Sequence, residues 1–201
     1  MIRSTNREKL GQMKAGQDLV VAGYIGEIGT EAIAIARKGE LLQWFSEDYY
    51  KKFYIKTETH QQLSWEMAKS LGATEFEMTG EGGIFTALWT LSATYHKGIT
   101  IDLRAIPVRQ STIELCERYE LTPYRLWSGN CAVMVSDNGW RLAERFKDLG
   151  IEAAVIGRTE AGAGKEIRYG GEIGCMERPR ADEIYRVIPN FRLETPENQE
   201  I

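Results

Sequence analysis

Residues 75–91 limit the fold more than any other stretch, because they combine a strand pattern, a glycine cluster and a helix pattern. The strand alternation ends at Thr79. Apolar residues then recur at helical spacing, at Ile84, Ala87, Leu88, Leu91 and Tyr95. No charged residue occurs over residues 82–95, and Phe85 and Trp89 add a second apolar stripe. This predicts a helix buried on more than one side, either central to a layered domain or packed against another chain.

The glycine turn between this strand and this helix has two interpretations. In the first, unpaired amide groups at the helix start bind a phosphate or another anion. In the second, the glycines provide positive φ angles and close packing, and Glu81 compensates the helix dipole by itself. A glycine cluster alone has low specificity, which favours packing. The candidate phosphate or ligand groove here consists of Thr79, Gly80, Glu81, Gly82 and Gly83.

A second strand, glycine turn and helix pattern lies nearer the N-terminus. Residues 18–23 form a compact apolar strand, and Gly26 and Gly29 lie in the turn after it. Thr30 is a typical N-cap residue, so we expect it to open a helix over residues 32–35. Gly26 and Gly29 therefore join the candidate groove, with the same packing alternative.

Other apolar patterns predict further strands and two further helices. We expect strands over residues 99–103, 131–135 and 153–157, of which the last two are continuously apolar, as in the middle of a sheet. Ser46 can start a short helix toward Phe53. An amphipathic helix over residues 63–71 should end at Gly72.

Capping signals predict three later helices. The sequence Ser111-Thr112-Ile113-Glu114 fits a capping box, and the helix that it starts should end before Pro123. Ser136 or Asp137 is expected to cap the next helix. Residues 181–187 can form a last short helix.

Residues 158–174 are rich in glycine and charge and contain an Ala-Gly-Ala-Gly-Lys run that ends at Lys165. The run suggests a P-loop, which requires Gly, four residues and then Gly-Lys-Ser/Thr. Thr159 occupies the position of the first glycine, and Glu166 follows the lysine. We therefore expect a hairpin loop with a solvated lysine.

The composition is that of one globular domain. The chain has 201 residues and a net charge of −4, and no Lys/Arg cluster provides the basic face that nucleic acids need. No apolar run approaches the ~20 residues of a membrane span, and the N-terminus lacks the apolar core of a signal peptide. We expect a cytoplasmic protein with an N-terminal arm or helix over residues 1–15, a domain over residues 16–190 and an acidic tail over residues 191–201.

The cysteines and histidines give no sign of a reactive site. Cys116, Cys131 and Cys175 are odd in number and far apart, which fits neither a disulfide framework nor a metal site. Cys116 and Cys131 lie in predicted apolar elements, so we expect them in the core. His60 and His96 are more typical of surface or capping positions than of a catalytic base. The sequence thus predicts no metal ligands and no Cys-His or Ser-His-Asp nucleophile.

Four ordered segments, which together span most of residues 16–187, resemble the C-terminal domain of the aminoimidazole ribonucleotide (AIR) synthase-related family. The segments are residues 16–21 with Gly26 and Gly29, residues 82–89, residues 106–117 with Pro123-Tyr124 and Ser128-Gly129, and residues 177–185. That family includes hydrogenase maturation proteins, thiamine monophosphate kinase, selenophosphate synthetase and formylglycinamidine synthase. The chain is most similar to the hydrogenase maturation factor branch. The resemblance implies an α+β fold with helices packed on a mixed β-sheet, whereas periodicity alone also allows a doubly wound α/β sheet.

The chain departs from the family pattern in two ways. Family members carry a separate N-terminal domain that supplies most ligands for ATP and metal, and no room for it exists before Gly16. The family turn resembles His-Asp-x-Thr-x-Gly-Gly, where this chain has Glu77, Met78 and Gly80 at the His, Asp and Thr positions. Methionine neither ligates a hard cation nor accepts a proton usefully. The ATP-dependent chemistry of the family is therefore not transferred intact.

Two functional hypotheses follow from the resemblance. The first is a non-catalytic binding or assembly module that acts through a partner chain or as a homodimer. The second is a subunit that completes an ATP-dependent enzyme of the hydrogenase maturation type together with a separate N-terminal-domain protein. We expect no cofactor on the isolated chain, and ATP with magnesium only in the presence of such a partner. Self-association is also expected from the uncharged helix and from an aromatic group made of Trp44, Phe45, Tyr49, Tyr50, Phe53 and Tyr54.

Overall fold

The computed structural model describes residues 8–54 and 63–192, which form a mixed seven-stranded sheet with packed helices. The strands are β1 (Asp18–Ala22), β2 (Glu75–Met78), β3 (Gly98–Asp102), β4 (Ala132–Ser136), β5 (Ala153–Glu160), β6 (Lys165–Tyr169) and β7 (Glu172–Cys175). The α-helices are α1 (Glu27–Ala36), α2 (Lys38–Leu41), α3 (Glu47–Tyr50), α4 (Trp65–Leu71), α5 (Gly83–Tyr95), α6 (Gln110–Arg118) and α7 (Gly139–Asp148). The predicted α+β fold is therefore confirmed.

The sheet has the strand order β2-β4-β1-β5-β3-β6-β7, and only the β3–β6 pair is parallel. Its central strands are apolar along both faces because both faces are covered. On one face, Leu19 and Val21 of β1 pack in the same cluster as Leu88 of α5. On the other face, Val20 packs in the same cluster as Phe146 of α7. Two layers of helices thus enclose the central strands.

The predicted buried segments are confirmed, with shifted ends. Strand β1 stops one residue before Gly23, β4 begins one residue after Cys131, and β5 continues to Glu160. In α5 the sheet-facing side chains, such as Leu88, are fully buried, whereas Phe85 and others opposite are only partly buried. The predicted ends of two shorter helices are also confirmed, because the Ser46 hydroxyl caps α3 and a left-handed Gly72 ends α4.

A third core lies between α1, α6 and the segments that follow α3 and α6. The aromatic group belongs largely to it, because the ring centroids of Phe45 and Phe53 lie 5.2 Å apart and those of Tyr49 and Phe53 lie 5.8 Å apart. Trp44 is the exception, with 58% of its surface exposed. Packing within one chain therefore accounts for most of these rings, and the self-association predicted from them stays a prediction.

Two predicted helix starts are wrong. Helix α1 begins at Glu27, three residues before Thr30, and the Thr30 hydroxyl lies 3.1 Å from that of Thr112. Helix α6 begins at Gln110, so the proposed capping box lies inside the helix, and Glu114 accepts a hydrogen bond from the Gln110 side chain. Thr30 and Ser111, the predicted caps, are both buried side chains inside their helices rather than at the helix ends.

The predicted cap of α7 is also wrong. Its N-cap is Asn138, whose side chain accepts the Arg141 amide at 3.0 Å. Ser136 is still the last residue of β4, and its hydroxyl donates to the Gly72 carbonyl. Near the C-terminus, the predicted short helix is a 3-10 turn over Glu183–Arg186.

The predicted hairpin over residues 158–174 is replaced by a different connection. Strands β5 and β6 both pair with β3, on opposite sides, so the loop between them crosses the start of β3. The Lys165 ammonium lies 4.4 Å from the ring centre of Trp89, and burial lowers the pKa of this lysine. The lysine therefore packs on an aromatic ring while it stays partly exposed to solvent. A two-residue hairpin, with Gly170 and Gly171 at positive φ, instead joins β6 to β7.

The N-terminal segment that the structure describes is an arm without a helix over residues 8–15. The Gly11 amide donates to the Glu75 carboxylate at 2.9 Å, and the Tyr95 hydroxyl donates to the Gly11 carbonyl at 2.9 Å. His60, residues 1–7 and residues 193–201 of the predicted tail lie outside the described residues. The helices that are described are all too short or too polar to cross a membrane.

Candidate functional site

The glycine turn between β2 and α5 is held by close contacts within the chain. Gly82 and Gly83 both have positive φ angles, of 81° and 62°. A Cβ atom on Gly83 would lie 2.5 Å from the Tyr124 carbonyl oxygen, so a side chain has no space there. The buried Thr79 hydroxyl donates to the Cys131 carbonyl at 2.7 Å. Tight packing therefore explains the glycines at 82 and 83 without a ligand.

A carboxylate from the C-terminal segment already occupies the start of α5. The Gly82 amide donates to Asp182 Oδ2 at 2.6 Å. The amides of Ile184 and Trp127 donate to Asp182 Oδ1 at 2.9 Å and 3.3 Å. Asp182 is 2% exposed. The anion at this turn is thus a side chain of the same protein, about a hundred residues further along the sequence.

Two effects oppose each other on the Asp182 carboxyl. Burial, with a smaller contribution from Glu81, raises its pKa, whereas the three amide donors lower it. Burial prevails, so the net direction is upward. Glu81 itself accepts a hydrogen bond from the Tyr185 hydroxyl at 3.1 Å. The 3-10 turn over Glu183–Arg186 and its cap therefore fasten the glycine turn at two neighbouring positions.

The second glycine turn, before α1, is closed in a similar way. The Gly26 amide donates to the Ser128 hydroxyl at 2.9 Å, and the Gly29 amide donates to the Trp127 carbonyl at 2.9 Å. A Cβ atom on Gly29 would lie 2.5 Å from Leu126. Residues from a distant segment thus cap α1, which explains why the helix starts before Thr30.

Both turns contact one connecting segment, residues 122–129. The Ser128 amide donates to the Gly80 carbonyl at 3.3 Å, while the Ser128 hydroxyl holds Gly26. The structure therefore brings the two predicted groups of groove residues into contact with the same segment, at Ser128. Sequence reasoning missed Asp182 as a site residue. An Asp-Glu pair before an apolar residue is an N-cap signal that could have marked it, although not its contact with Gly82.

Charged residues near the α1 turn form one ion pair. Glu27 is 5% exposed, and its carboxylate pairs with the guanidinium of Arg109. The same guanidinium lies 4.0 Å from the ring centre of Tyr24. Near the α5 turn, Glu77 and Glu81 are the acidic residues closest in sequence, and they are the candidates there for metal ligands. Within residues 8–54 and 63–192, no three His, Cys, Asp or Glu side chains form a group that could hold a metal ion.

The reactivity of the cysteines can be predicted from their burial. Cys116 and Cys131 are buried, which raises the pKa of each thiol to about 12, whereas Cys175 is exposed. We expect Ellman's reagent to label one thiol rapidly in the native protein at pH 8 and all three after denaturation. The variant Cys175→Ser should lose the rapid phase. Rapid labelling of a second thiol would contradict the packing of Cys116 or Cys131.

Comparison with known proteins shows structural but no sequence matches: no protein-family model and no curated protein match the chain. The HypE–HypF complex contains a chain with 21% identity and a TM-score of 0.64, and the match covers 84% of this chain and 55% of that chain. The hydrogenase maturation protein HypE in complex with ATP has 14% identity and a TM-score of 0.60, with coverages of 92% and 55%. Thiamine-monophosphate kinase from Stenotrophomonas maltophilia has 17% identity and a TM-score of 0.57, with coverages of 81% and 52%.

These matches share a fold with the chain at low sequence identity. The chain spans about half the length of these three solved proteins. HypE and thiamine-monophosphate kinase are AIR synthase-related proteins, so the structural neighbours agree with the resemblance seen in the four sequence segments. The chain therefore has the fold of the AIR synthase-related proteins, the hydrogenase maturation protein HypE among them.

Proposed function

We propose that the protein is a non-catalytic binding or assembly module that acts as a homodimer or together with a partner chain. The observation that carries this proposal is the contact between the Gly82 amide and the Asp182 carboxylate. An anionic ligand at this helix start would have to displace a buried carboxylate of the protein itself. Negative charge at the same place also repels phosphate.

The residues beside the turn support the same conclusion. Met78 ends β2 where the family motif has an aspartate, and 40% of its surface is exposed. A thioether there offers no hard-cation ligand. Phosphoryl transfer depends mainly on positioned cations and charge-stabilising groups. A groove built from Thr79, Gly80, Glu81, Gly82, Gly83, Gly26 and Gly29 therefore suits packing better than ATP chemistry.

A second candidate function is a subunit that completes an ATP-dependent enzyme. Its support comes from the comparisons. The chain covers 55% of the length of HypE in a structure with ATP and 55% of a matched chain in the HypE–HypF complex. In this proposal a separate N-terminal-domain protein supplies most of the ATP and magnesium ligands. The two glycine turns would then face that partner.

We expect the isolated chain neither to hydrolyse ATP nor to bind it tightly. Isothermal titration with ATP and magnesium should give no binding at micromolar concentrations, because the Gly82 amide is occupied and Met78 replaces a carboxylate. Binding in the micromolar range or tighter by the chain alone would overturn the proposal. Binding only after a separate N-terminal-domain protein of this family is added would favour the enzyme-subunit alternative.

A second variant tests whether Met78 or Asp182 prevents ATP binding. The variant Met78→Asp restores the carboxylate of the family motif at an exposed position, so we expect it to fold normally. It should still bind no ATP alone, since the Gly82 amide remains paired with Asp182. Gain of ATP binding by this single change would show that the carboxylate, rather than Asp182, controls the site.

A further inference from the structure

The outer edge of the sheet at β7 is the most exposed regular element of the described chain. All four residues of β7 are exposed, and β7 pairs only with β6. The hairpin of β6 and β7 carries Tyr169 and Ile173, which are 56% and 67% exposed. An exposed edge strand with apolar side chains is a template for pairing with another strand.

The register identifies which backbone groups face outward from β7. Glu172 lies opposite Tyr169 next to the two-residue turn, and Gly174 lies opposite Ile167. The Met176 amide continues the ladder by donating to the Lys165 carbonyl at 2.8 Å. In an antiparallel pair only every second residue forms hydrogen bonds with the neighbouring strand. Glu172, Gly174 and Met176 form these bonds with β6, so the backbone NH and CO groups of Ile173 and Cys175 point away from β6. These two residues form the outer edge.

The opposite edge of the sheet, at β2, is protected by comparison. The N-terminal arm runs beside it, where the Gln12 amide donates to the Thr74 carbonyl at 2.7 Å. The Glu75 carboxylate accepts both the Gly11 amide and the Phe76 amide. Strand β7 has no such cover in the described chain, and its residues 173–175 contain neither a charge nor a proline.

We propose that β7 pairs antiparallel with β7 of a second copy of this chain, with Gly174 on the two-fold axis. In this register Ile173 lies opposite Cys175 of the second copy, and Cys175 lies opposite Ile173 of the second copy. All the outward NH and CO groups of β7 are therefore hydrogen-bonded. The side chains of Ile173 and Cys175 from both copies lie on the same face and form an apolar strip. Gly174 on the axis has no side chain, so the two backbones can approach closely. No other two-fold register pairs these groups using β7 alone.

The charges next to the strand are compatible with the same register. Glu172 lies opposite Met176 of the second copy, which is uncharged. No like charges lie opposite each other, because the middle of β7 is uncharged. A closed two-fold pair also leaves no further edge at β7, so the assembly stops at a dimer. These features favour a second copy over an unrelated peptide.

The inference deepens the assembly role proposed above and names its surface. A short edge-to-edge contact buries less area than a standard interface of ~1,200–2,000 Å². We therefore expect a weak dimer, with a dissociation constant on the order of 10–100 µM. Sedimentation velocity over a concentration series that brackets this range should show a reversible monomer–dimer equilibrium.

A matched pair of variants tests the surface. Ile173→Lys places a charge on the proposed edge, whereas Trp140→Lys places one on α7 at a position with the same 67% exposure. We expect Ile173→Lys to weaken dimerisation at least tenfold and Trp140→Lys to leave it unchanged. A monomeric wild-type chain would overturn both the dimer and this surface. A wild-type dimer that survives Ile173→Lys would overturn the β7 surface but not the assembly role.

Cross-linking tests the register independently. Ile173→Cys places a thiol opposite Cys175 of the second copy, so oxidation with copper phenanthroline should give a disulfide-linked dimer on denaturing gels. In the double variant Ile173→Cys/Cys175→Ser the two thiols are offset by two residues along the ladder rather than directly opposite, and the yield should fall several-fold. Cys116 and Cys131 are buried and do not contribute. Equal yields from both variants would overturn the register.

Discussion

Replacing Asp182 with alanine should lower the free energy of unfolding by about 3 kcal/mol at neutral pH. The change removes the acceptor of three amides, those of Gly82, Trp127 and Ile184, around a residue that is 2% exposed. A buried donor left without a partner costs about 1–3 kcal/mol, and relief of the buried charge offsets part of this sum. Urea denaturation followed by circular dichroism measures the effect.

Asp102 provides the control. Like Asp182, it caps a 3-10 turn by accepting the amide two residues ahead, here that of Arg104 at 2.9 Å. It has no counterpart of the bond to Gly82, so Asp102→Ala should cost only about 1 kcal/mol, as capping residues do. Equal losses in the two variants would mean that the bond to the glycine turn contributes nothing to stability.

The same residue makes a pH-dependent contribution. Burial raises the pKa of Asp182 above its usual value of 3.8, so folding favours the protonated carboxyl. Its contribution is fully present below the unfolded pKa and is lost as the pH rises through the higher folded pKa. The stability difference between the wild type and Asp182→Asn should therefore narrow from pH 4 to pH 7. A difference that widens would show that the amide bonds outweigh burial.

Replacing Gly83 with alanine should lower the free energy of unfolding by about 3 kcal/mol. The backbone at Gly83 has a φ of 62°, which costs a residue with a side chain about 1–2 kcal/mol. The added Cβ atom would lie 2.5 Å from the Tyr124 carbonyl and 2.9 Å from the Arg125 backbone, and such overpacking costs about 1–3 kcal/mol.

Gly80, in the same turn, is the matched control for this substitution. A Cβ atom on Gly80 would meet no heavy atom within 4 Å, and its φ is not positive. Gly80→Ala should therefore change stability by no more than about 0.5 kcal/mol. Thermal unfolding of both variants decides the matter: a loss in Gly80→Ala as large as in Gly83→Ala would contradict the packing account of the turn.

Together these variants distinguish a packed turn from a ligand site. If Gly83 is required for packing against residues 122–129, its replacement destabilises the chain whether or not any nucleotide is present. A glycine kept for a phosphate would instead affect binding and leave the unfolding of the isolated chain nearly unchanged. The same comparison applies to Asp182, which touches the turn directly.

Sequence alone determined the elements whose signal is local. Residues 131–135 are continuously apolar because β4 is covered on both faces. The uncharged stretch over residues 82–95 predicted helix α5, whose sheet-facing side is fully buried and whose opposite side is partly buried. The turn with Gly82 and Gly83 was also recognisable, since the glycines, the strand before it and the helix after it lie within a few residues. Local periodicity records which side of an element is buried.

Tertiary structure alone decided how these elements meet. Helix α1 starts at Glu27 because Ser128 and Trp127, about a hundred residues away, bind the amides of its turn. Asp182 reaches Gly82 in the same way. Strand β6 pairs with β3 rather than with β5, the strand that precedes it in the sequence. Such contacts depend on which distant groups the folded chain brings within hydrogen-bond distance, and no pattern of neighbouring residues encodes that choice.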